Sequence, residues 1–169
     1  DGDHVIAGDM GSLIFVGGVR ANFVSEIEDP SFGGNDTVST GSGANWIILG
    51  EGDDESSLAG GFNIAIGDAG YVLGETDGVY LRAEATQSRT GGNDRIIGGT
   101  SRDVQIGGAG SDYLDGGAGD DLLSGDGALI TRAPTGINGL ITIESRNIED
   151  GGDDTVIGNE GFDAMLGGI

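Results

Sequence analysis

Residues 107–124 read GGAGSDYLDGGAGDDLLS, two consecutive nine-residue units with one grammar. Each is Gly-Gly-x-Gly-x-Asp-x-U-x, where U is a large apolar residue, Leu114 in the first unit and Leu123 in the second. Glycines at positions one, two and four permit a tight, partly left-handed turn that a Cβ resists. Such a turn directs backbone carbonyls inward and leaves the position-six Asp as the charged side chain aimed at the same point. The x-U-x tail is a short strand whose middle side chain points one way and whose flanks point the other. Two units therefore make one coil of a flattened spiral, with U residues filling a narrow core. A flexible Gly-Asp linker has no need of an apolar residue in step with its glycines.

Carbonyl and carboxylate oxygens are the ligands a hard cation such as Ca²⁺ takes, six to eight at a time. One turn cannot supply that many, so an ion sits between two stacked turns. The tandem nonapeptide resembles the calcium-binding repeat of the RTX family of secreted bacterial proteins. The resemblance implies an all-β fold, a parallel β-roll (right-handed β-solenoid) holding several Ca²⁺. It also carries over the backbone of Gly107, Gly108, Gly110, Gly116, Gly117 and Gly119 as metal-binding turn positions.

Extended along the chain, the nine-residue frame places His4, Asp36, Asn45, Asp54, Asn63, Asp94, Asp103, Asp112, Asp121, Asp154 and Asp163 at position six. By resemblance the eight Asp are the calcium ligands. Same-side turns two units apart pair Asp94 with Asp112, Asp103 with Asp121, and Asp36 with Asp54. Asn45 and Asn63 keep an oxygen and lose the charge, so their sites are weak or absent. Ser101 stands where the Asp103 turn expects glycine, which weakens that site. Asp53, Asp120 and Asp153, at position five, are expected to be solvated neighbours.

A longer period overlies the short one. GGNDTV at Gly33, GGNDRI at Gly91 and GGDDTV at Gly151 recur 58 and 60 residues apart, and the Gly-Asp pairs at Gly8, Gly67 and Gly125 recur 59 and 58 apart. The 169 residues thus read as one domain of modules: 1–11 closes one, 12–70 and 71–127 are whole, and 128–169 opens another. The chain begins and ends inside a repeat and is expected to be a piece of a longer protein.

The U positions are Ile6, Val38, Ile47, Ser56, Ala65, Ile96, Gln105, Leu114, Leu123, Val156 and Met165, with Ser56 and Gln105 loosening the core. The outward flanks split by side. One sheet shows Trp46/Ile48, Ile64/Ile66, Val104/Ile106 and Leu122/Ser124. The other shows Thr37/Ser39, Glu55/Ser57, Arg95/Ile97 and Tyr113/Asp115. A bare apolar face of that extent calls for a cover. The inserts 12–32, 71–90 and 128–150 supply one, because each is β-rich sequence broken by turn residues. Gly17-Gly18 and Asp77-Gly78 turn the first two, and a loop around Pro134 and Gly136 turns the third. Each hairpin is expected to fold over the apolar sheet. Glu26, Glu84 and Glu144, or Asp9, Asp68 and Asp126, recur at the long period and are candidates for extra calcium sites or for caps on strand-end amides.

Glycine is 37 of 169 residues, and the formal charge is −22 with every basic residue an Arg. Such acidity opposes nucleic acid and anionic membranes as partners. About eight Ca²⁺ would bring −22 to about −6, so the ions permit folding rather than decorate it. There is no Cys, hence no disulfide and no thiolate metal site, and calcium is the staple available to an extracellular chain. No apolar run approaches the length of a membrane span. One His and no Cys leave no nucleophile-base set, so the chain is not read as an enzyme. The reading is a calcium-binding structural module of a secreted or cell-surface protein of adhesin type, and the resemblance implies export by a type I system. A ligand- or ice-binding surface and the C-terminal accessory tail of a secreted hydrolase or toxin are the alternatives. Partners are calcium and either further repeats of the same chain or another copy of it.

Overall fold

The computed structural model describes residues 2–25, 33–74, 80–86, 91–133, 141–146, 149 and 151–168. All regular elements among them are strands. The chain opens with β1 (Val5–Ala7), β2 (Gly11–Val16) and β3 (Val19–Ser25). Four short strands follow: β4 (Thr37–Ser39), β5 (Trp46–Ile48), β6 (Glu55–Ser57) and β7 (Asn63–Ile66). Then come β8 (Gly70–Gly74), β9 (Tyr80–Ala85), β10 (Arg95–Ile97) and β11 (Asp103–Gly108). The next three are β12 (Tyr113–Asp115), β13 (Leu122–Asp126) and β14 (Ala128–Arg132). The last three are β15 (Ile141–Ser145), β16 (Thr155–Ile157) and β17 (Ala164–Leu166).

The nonapeptide strands alternate between two parallel sheets, β1-β5-β7-β11-β13-β17 and β16-β12-β10-β6-β4. The register repeats position on position. Ile47, Ala65, Gln105, Leu123 and Met165 are successive partners in the first sheet, and Val38, Ser56, Ile96, Leu114 and Val156 in the second. The facing U residues form one core of Val38, Ile47, Ala65, Ile96, Leu114 and Leu123. Leu49 and Leu58 join it from position one of their turns, where large side chains replace glycine. Met165 lies outside this core, half exposed on the terminal strand of its sheet. Gln105 is buried at its U position and donates its Nε2 to the Asp115 carbonyl at 2.9 Å.

The inserts build a third sheet, antiparallel, in the order β15-β14-β9-β8-β3-β2. Each insert contributes one antiparallel pair, and neighbouring inserts join through β3 with β8 and β9 with β14. This sheet lies on the outward face of the first parallel sheet. Trp46, Ile48, Ile64, Ile66, Val104 and Ile106 pack there with Phe23, Val72, Ala83, Ala128 and Ile130 in a second core, and all of these are at most 2 % exposed. At about 1.5–3 kcal/mol per fully buried large side chain, the cover stabilises the fold on the same scale as the narrow inner core. Arg20 ties the first hairpin down. Its guanidinium lies 4.8 Å over the Trp46 ring and donates to the carbonyls of His4 and Ala44 at 3.3 and 3.0 Å. The Asp77-Gly78 turn, the loop around Pro134 and Gly136, and Glu26 fall outside the described residues.

Candidate metal sites in the turns

The turns preceding β4, β6, β10, β12 and β16 stack Asp36, Asp54, Asp94, Asp112 and Asp154 in one column. The Oδ1 of each lower carboxylate accepts the amide N–H of the equivalent Asp one coil earlier. Asp36 donates to Asp54 at 2.7 Å, Asp54 to Asp94 at 2.9 Å, Asp94 to Asp112 at 2.8 Å and Asp112 to Asp154 at 2.9 Å. A second column runs through the opposite turns. There His4 donates to Asn45 at 3.1 Å, Asn63 to Asp103 at 3.0 Å, Asp103 to Asp121 at 2.7 Å and Asp121 to Asp163 at 3.0 Å. The expected pairs Asp36/Asp54, Asp94/Asp112 and Asp103/Asp121 are thus direct neighbours. Asp54/Asp94, Asp112/Asp154 and Asp121/Asp163 are neighbours too, although an insert separates each of these pairs in sequence.

That ladder uses one oxygen of each carboxylate. The Oδ2 atoms of Asp54, Asp94, Asp112, Asp121 and Asp154 are buried and have no hydrogen-bond partner. Leaving a charged oxygen buried and unmatched is expensive. The penalty appears in the ionisation of these groups. Burial, reinforced by neighbouring carboxylates, pushes Asp94 up to about 9, Asp112 to about 7, and Asp54, Asp121 and Asp154 to about 6.

Space is kept open in front of these oxygens. A Cβ on Gly107 would stand 2.2 Å from Asp112 Oδ2 and 2.3 Å from the Gly125 carbonyl oxygen of the next coil. On Gly67 it would meet Asp94 Oδ2 at 2.1 Å and the Gly107 carbonyl at 2.5 Å, and on Gly125 it would meet Asp154 Oδ2 at 2.2 Å and the Gly167 carbonyl at 2.6 Å. At Gly67, Gly107 and Gly125 glycine is therefore required by close approach, whatever its φ. The gap gathers an unmatched carboxylate oxygen and carbonyl oxygens of adjacent coils. Among the described residues no three His, Cys, Asp or Glu side chains converge to hold a metal. A cation here must accept main-chain carbonyls, which suits Ca²⁺ and not a soft metal. The donor set fits a hard divalent ion.

The second column is different in its first half. Asn45 donates its Nδ2 to Asn63 Oδ1 at 2.7 Å and to the Gly43 carbonyl at 2.8 Å, and Asn63 donates to Asp103 Oδ1 at 2.9 Å and to the Gly61 carbonyl at 3.0 Å. An amide NH₂ does there what a cation would do elsewhere. Asp103 is also matched, because its Oδ2 accepts the Gly99 N–H at 3.0 Å. Burial still pushes Asp103 up to about 6, so it is matched in hydrogen bonds and not in charge.

Position five holds a further ladder that sequence reasoning missed. Asp53, Asp120 and Asp153 are exposed as expected, yet Asp53 Oδ1 accepts the Asn93 N–H at 2.8 Å and Asp120 Oδ1 the Phe162 N–H at 3.0 Å. The runs of Asn, Asp and Ser at position five were the available signal. Two glutamates of the inserts, Glu84 and Glu144, are occupied. Tyr71 donates its hydroxyl to Glu84, Arg82 donates to the same oxygen at 2.6 Å, and Arg146 pairs with the exposed Glu144 at 2.8 Å. Those side chains are engaged within the insert sheet.

A family model for the RTX calcium-binding nonapeptide repeat, in four copies, matches residues 31–65, 89–123 and 150–169, more than half of the chain. This chain belongs to the RTX calcium-binding nonapeptide repeat family. The matched segments contain all eight position-six Asp, and the gaps between them fall on the second and third inserts, so the RTX grammar and the hairpins alternate along the sequence. Comparison with curated proteins and with solved structures gives no match. Among the described residues no helix is long and apolar enough to cross a membrane.

Proposed function

We propose that the chain is a calcium-dependent structural module of a secreted or cell-surface RTX protein, a right-handed parallel β-roll that folds when it meets extracellular Ca²⁺. Asp36, Asp54, Asp94, Asp112 and Asp154 hold ions along one row of turns, and Asp121 and Asp163 along the other. The carbonyls of turns such as Gly107, Gly108, Gly110, Gly116, Gly117 and Gly119 complete the shells. Asp103 is the weakest of the eight assigned ligands. The observation that carries the reading is the set of buried, unmatched Asp Oδ2 atoms facing carbonyls. When bound, Ca²⁺ supplies the positive charge that this acidic column lacks. The chain's own residues preform the cradle, because each Oδ1 is fixed by the amide of the adjacent coil. The units 1–11, 12–70, 71–127 and 128–169 are successive modules in which a hairpin insert covers every second coil. Export of an unfolded chain by a type I system is consistent with a charge of −22 and no Cys. Isothermal titration of the chelated chain with CaCl₂ tests the reading. Several ions per chain with dissociation constants in the range of extracellular modules, roughly 10⁻⁴–10⁻³ M, are expected. A heat-silent titration overturns it.

A ligand-binding surface is the second reading, and one observation favours it. Arg102 and Arg132 line, with Phe15 and Phe62, a cleft of ≈ 890 Å³ beside the hairpins, which Arg20 also borders while held by the His4 and Ala44 carbonyls and Asp3. Arginine forks in so acidic a chain suit a carboxylate-bearing ligand. The polar sheet is a poorer candidate for an ice-binding face, because Glu55, Arg95 and Tyr113 interrupt the column that begins and ends in Thr37 and Thr155.

A further inference from the structure

In the turns that follow the first parallel sheet, position two is glycine where the coil runs on, as in Gly50 and Gly108, and an acid where a hairpin leaves: Asp9, Asp68 and Asp126. None of the three belongs to the position-six columns. Asp68 is 1 % exposed and Asp126 0 %. Their placement is conserved from module to module. Asp9 Oδ2 accepts the Glu51 N–H at 2.7 Å, and Asp68 Oδ2 accepts the Ala109 N–H, the same position one coil on in each case. The carboxylate is wedged where the hairpin returns. A Cβ on Gly91 would lie 2.2 Å from Asp68 Oδ2, and one on Gly151 would lie 1.9 Å from Asp126 Oδ1. One oxygen thus clamps the base of the hairpin to the next coil.

The other oxygen is unexplained by that role. Asp68 Oδ1 is buried without a hydrogen-bond partner. It sits one residue from Gly67, whose α-carbon faces the equally unmatched Asp94 Oδ2. Two orphan carboxylate oxygens at one turn, without a cation among them, describe a site with more negative charge than a plain RTX turn.

We propose that Asp68, and by register Asp9 and Asp126, adds a second carboxylate to the Ca²⁺ held at each hairpin-bearing turn, creating a tighter class of site that fastens the hairpin base to the roll. This rests on the position-six calcium reading. Ligand charge count is a main determinant of calcium affinity. The module junctions therefore fill first, and the cover sheet closes at calcium levels that leave the plain turns partly empty.

Asp68→Asn separates the two roles of the residue, because the amide oxygen still accepts the Ala109 N–H while the charge is gone. Calcium titration by calorimetry on the whole chain should show the wild type binding in two classes. The variant should lose roughly tenfold in affinity at one tight site, with the weaker class unchanged. Unchanged affinities and ion count in Asp68→Asn reduce Asp68 to an amide clamp and overturn the proposal. Absence of calcium binding by the wild type removes the position-six reading as well, a distinct result. If Asp68→Asn does not fold in saturating calcium, Asp9→Asn, at the less buried end of the roll, carries the same expectation and the same refutation.

Discussion

The two rows of turns share one backbone geometry and differ in chemistry. Along the first, every position-six residue from Asp36 to Asp154 is a carboxylate, and all of these except Asp36 keep a buried unmatched oxygen. Along the second, Asn45 and Asn63 follow His4 and donate their own amide hydrogens to the turn carbonyls of Gly43 and Gly61. From Asp103 onward the second row is carboxylate too, and Asp121 is the member with a buried unmatched oxygen. The difference teaches that the ladder of Oδ1-to-amide bonds stacks the coils regardless of charge. The second side-chain atom decides whether a turn is self-sufficient or needs an ion.

Breaking the first row should have the largest effect. Gly107→Ala drives a methyl to 2.2 Å from Asp112 Oδ2 and 2.3 Å from the Gly125 carbonyl, so both walls of one cradle must move. Overpacking of this kind costs ~3 kcal/mol, which should show in a chemical unfolding curve in saturating calcium together with one fewer bound ion. A variant with wild-type stability and ion count contradicts the cradle.

Converting the second row sharpens the contrast. Asn63→Asp removes the donors to Asp103 Oδ1 and the Gly61 carbonyl and leaves two buried acids in contact. The metal-free fold should be disfavoured by about 1–3 kcal/mol, and in saturating calcium the variant should regain most of it by binding one more ion. Equal ion counts for Asn63→Asp and wild type mean that the amide does not stand in for a cation.

A smaller, graded effect comes from pH. Asp54, Asp94, Asp112 and Asp154 have raised pKa values in the metal-free fold, Asp94 most of all at about 9. The metal-free folded state therefore binds protons more tightly than the unfolded chain does. Its stability contribution is complete below the unfolded value near 3.8 and is lost as pH rises through the folded values from about 6 to about 9. Metal-free β content should be greater at mildly acid pH than at alkaline pH, followed by circular dichroism. With calcium the sense reverses, because protons compete with the ion and apparent affinity falls on acidification.

Much of this architecture was legible in the chain. The doubled unit at 107–124 gives the turn and strand, and the outward apolar column from Trp46 to Leu122 demands the cover that β3, β8, β9, β14 and β15 provide. The neighbour relation of Asp54 to Asp94 was hidden, because an excursion separates residues that the coil brings together. Leu49 and Leu58 were hidden in the core because position one is normally a glycine that points nowhere. The saturation of Asp103 by the Gly99 amide depends on turn geometry at Ser101, which residue type alone does not specify. Nor could spacing choose between Glu84 and Asp68, which recur with the same period. Tyr71 and Arg82 occupy the first, and burial isolates the second.

The central claim is that calcium completes this fold. Far-ultraviolet circular dichroism of the chain at neutral pH, titrated with CaCl₂ after removal of divalent ions and then returned to excess chelator, tests it most directly. A reversible transition from coil to β between roughly 0.1 and several millimolar is the predicted result. A β spectrum that is the same in chelator and in calcium would contradict it.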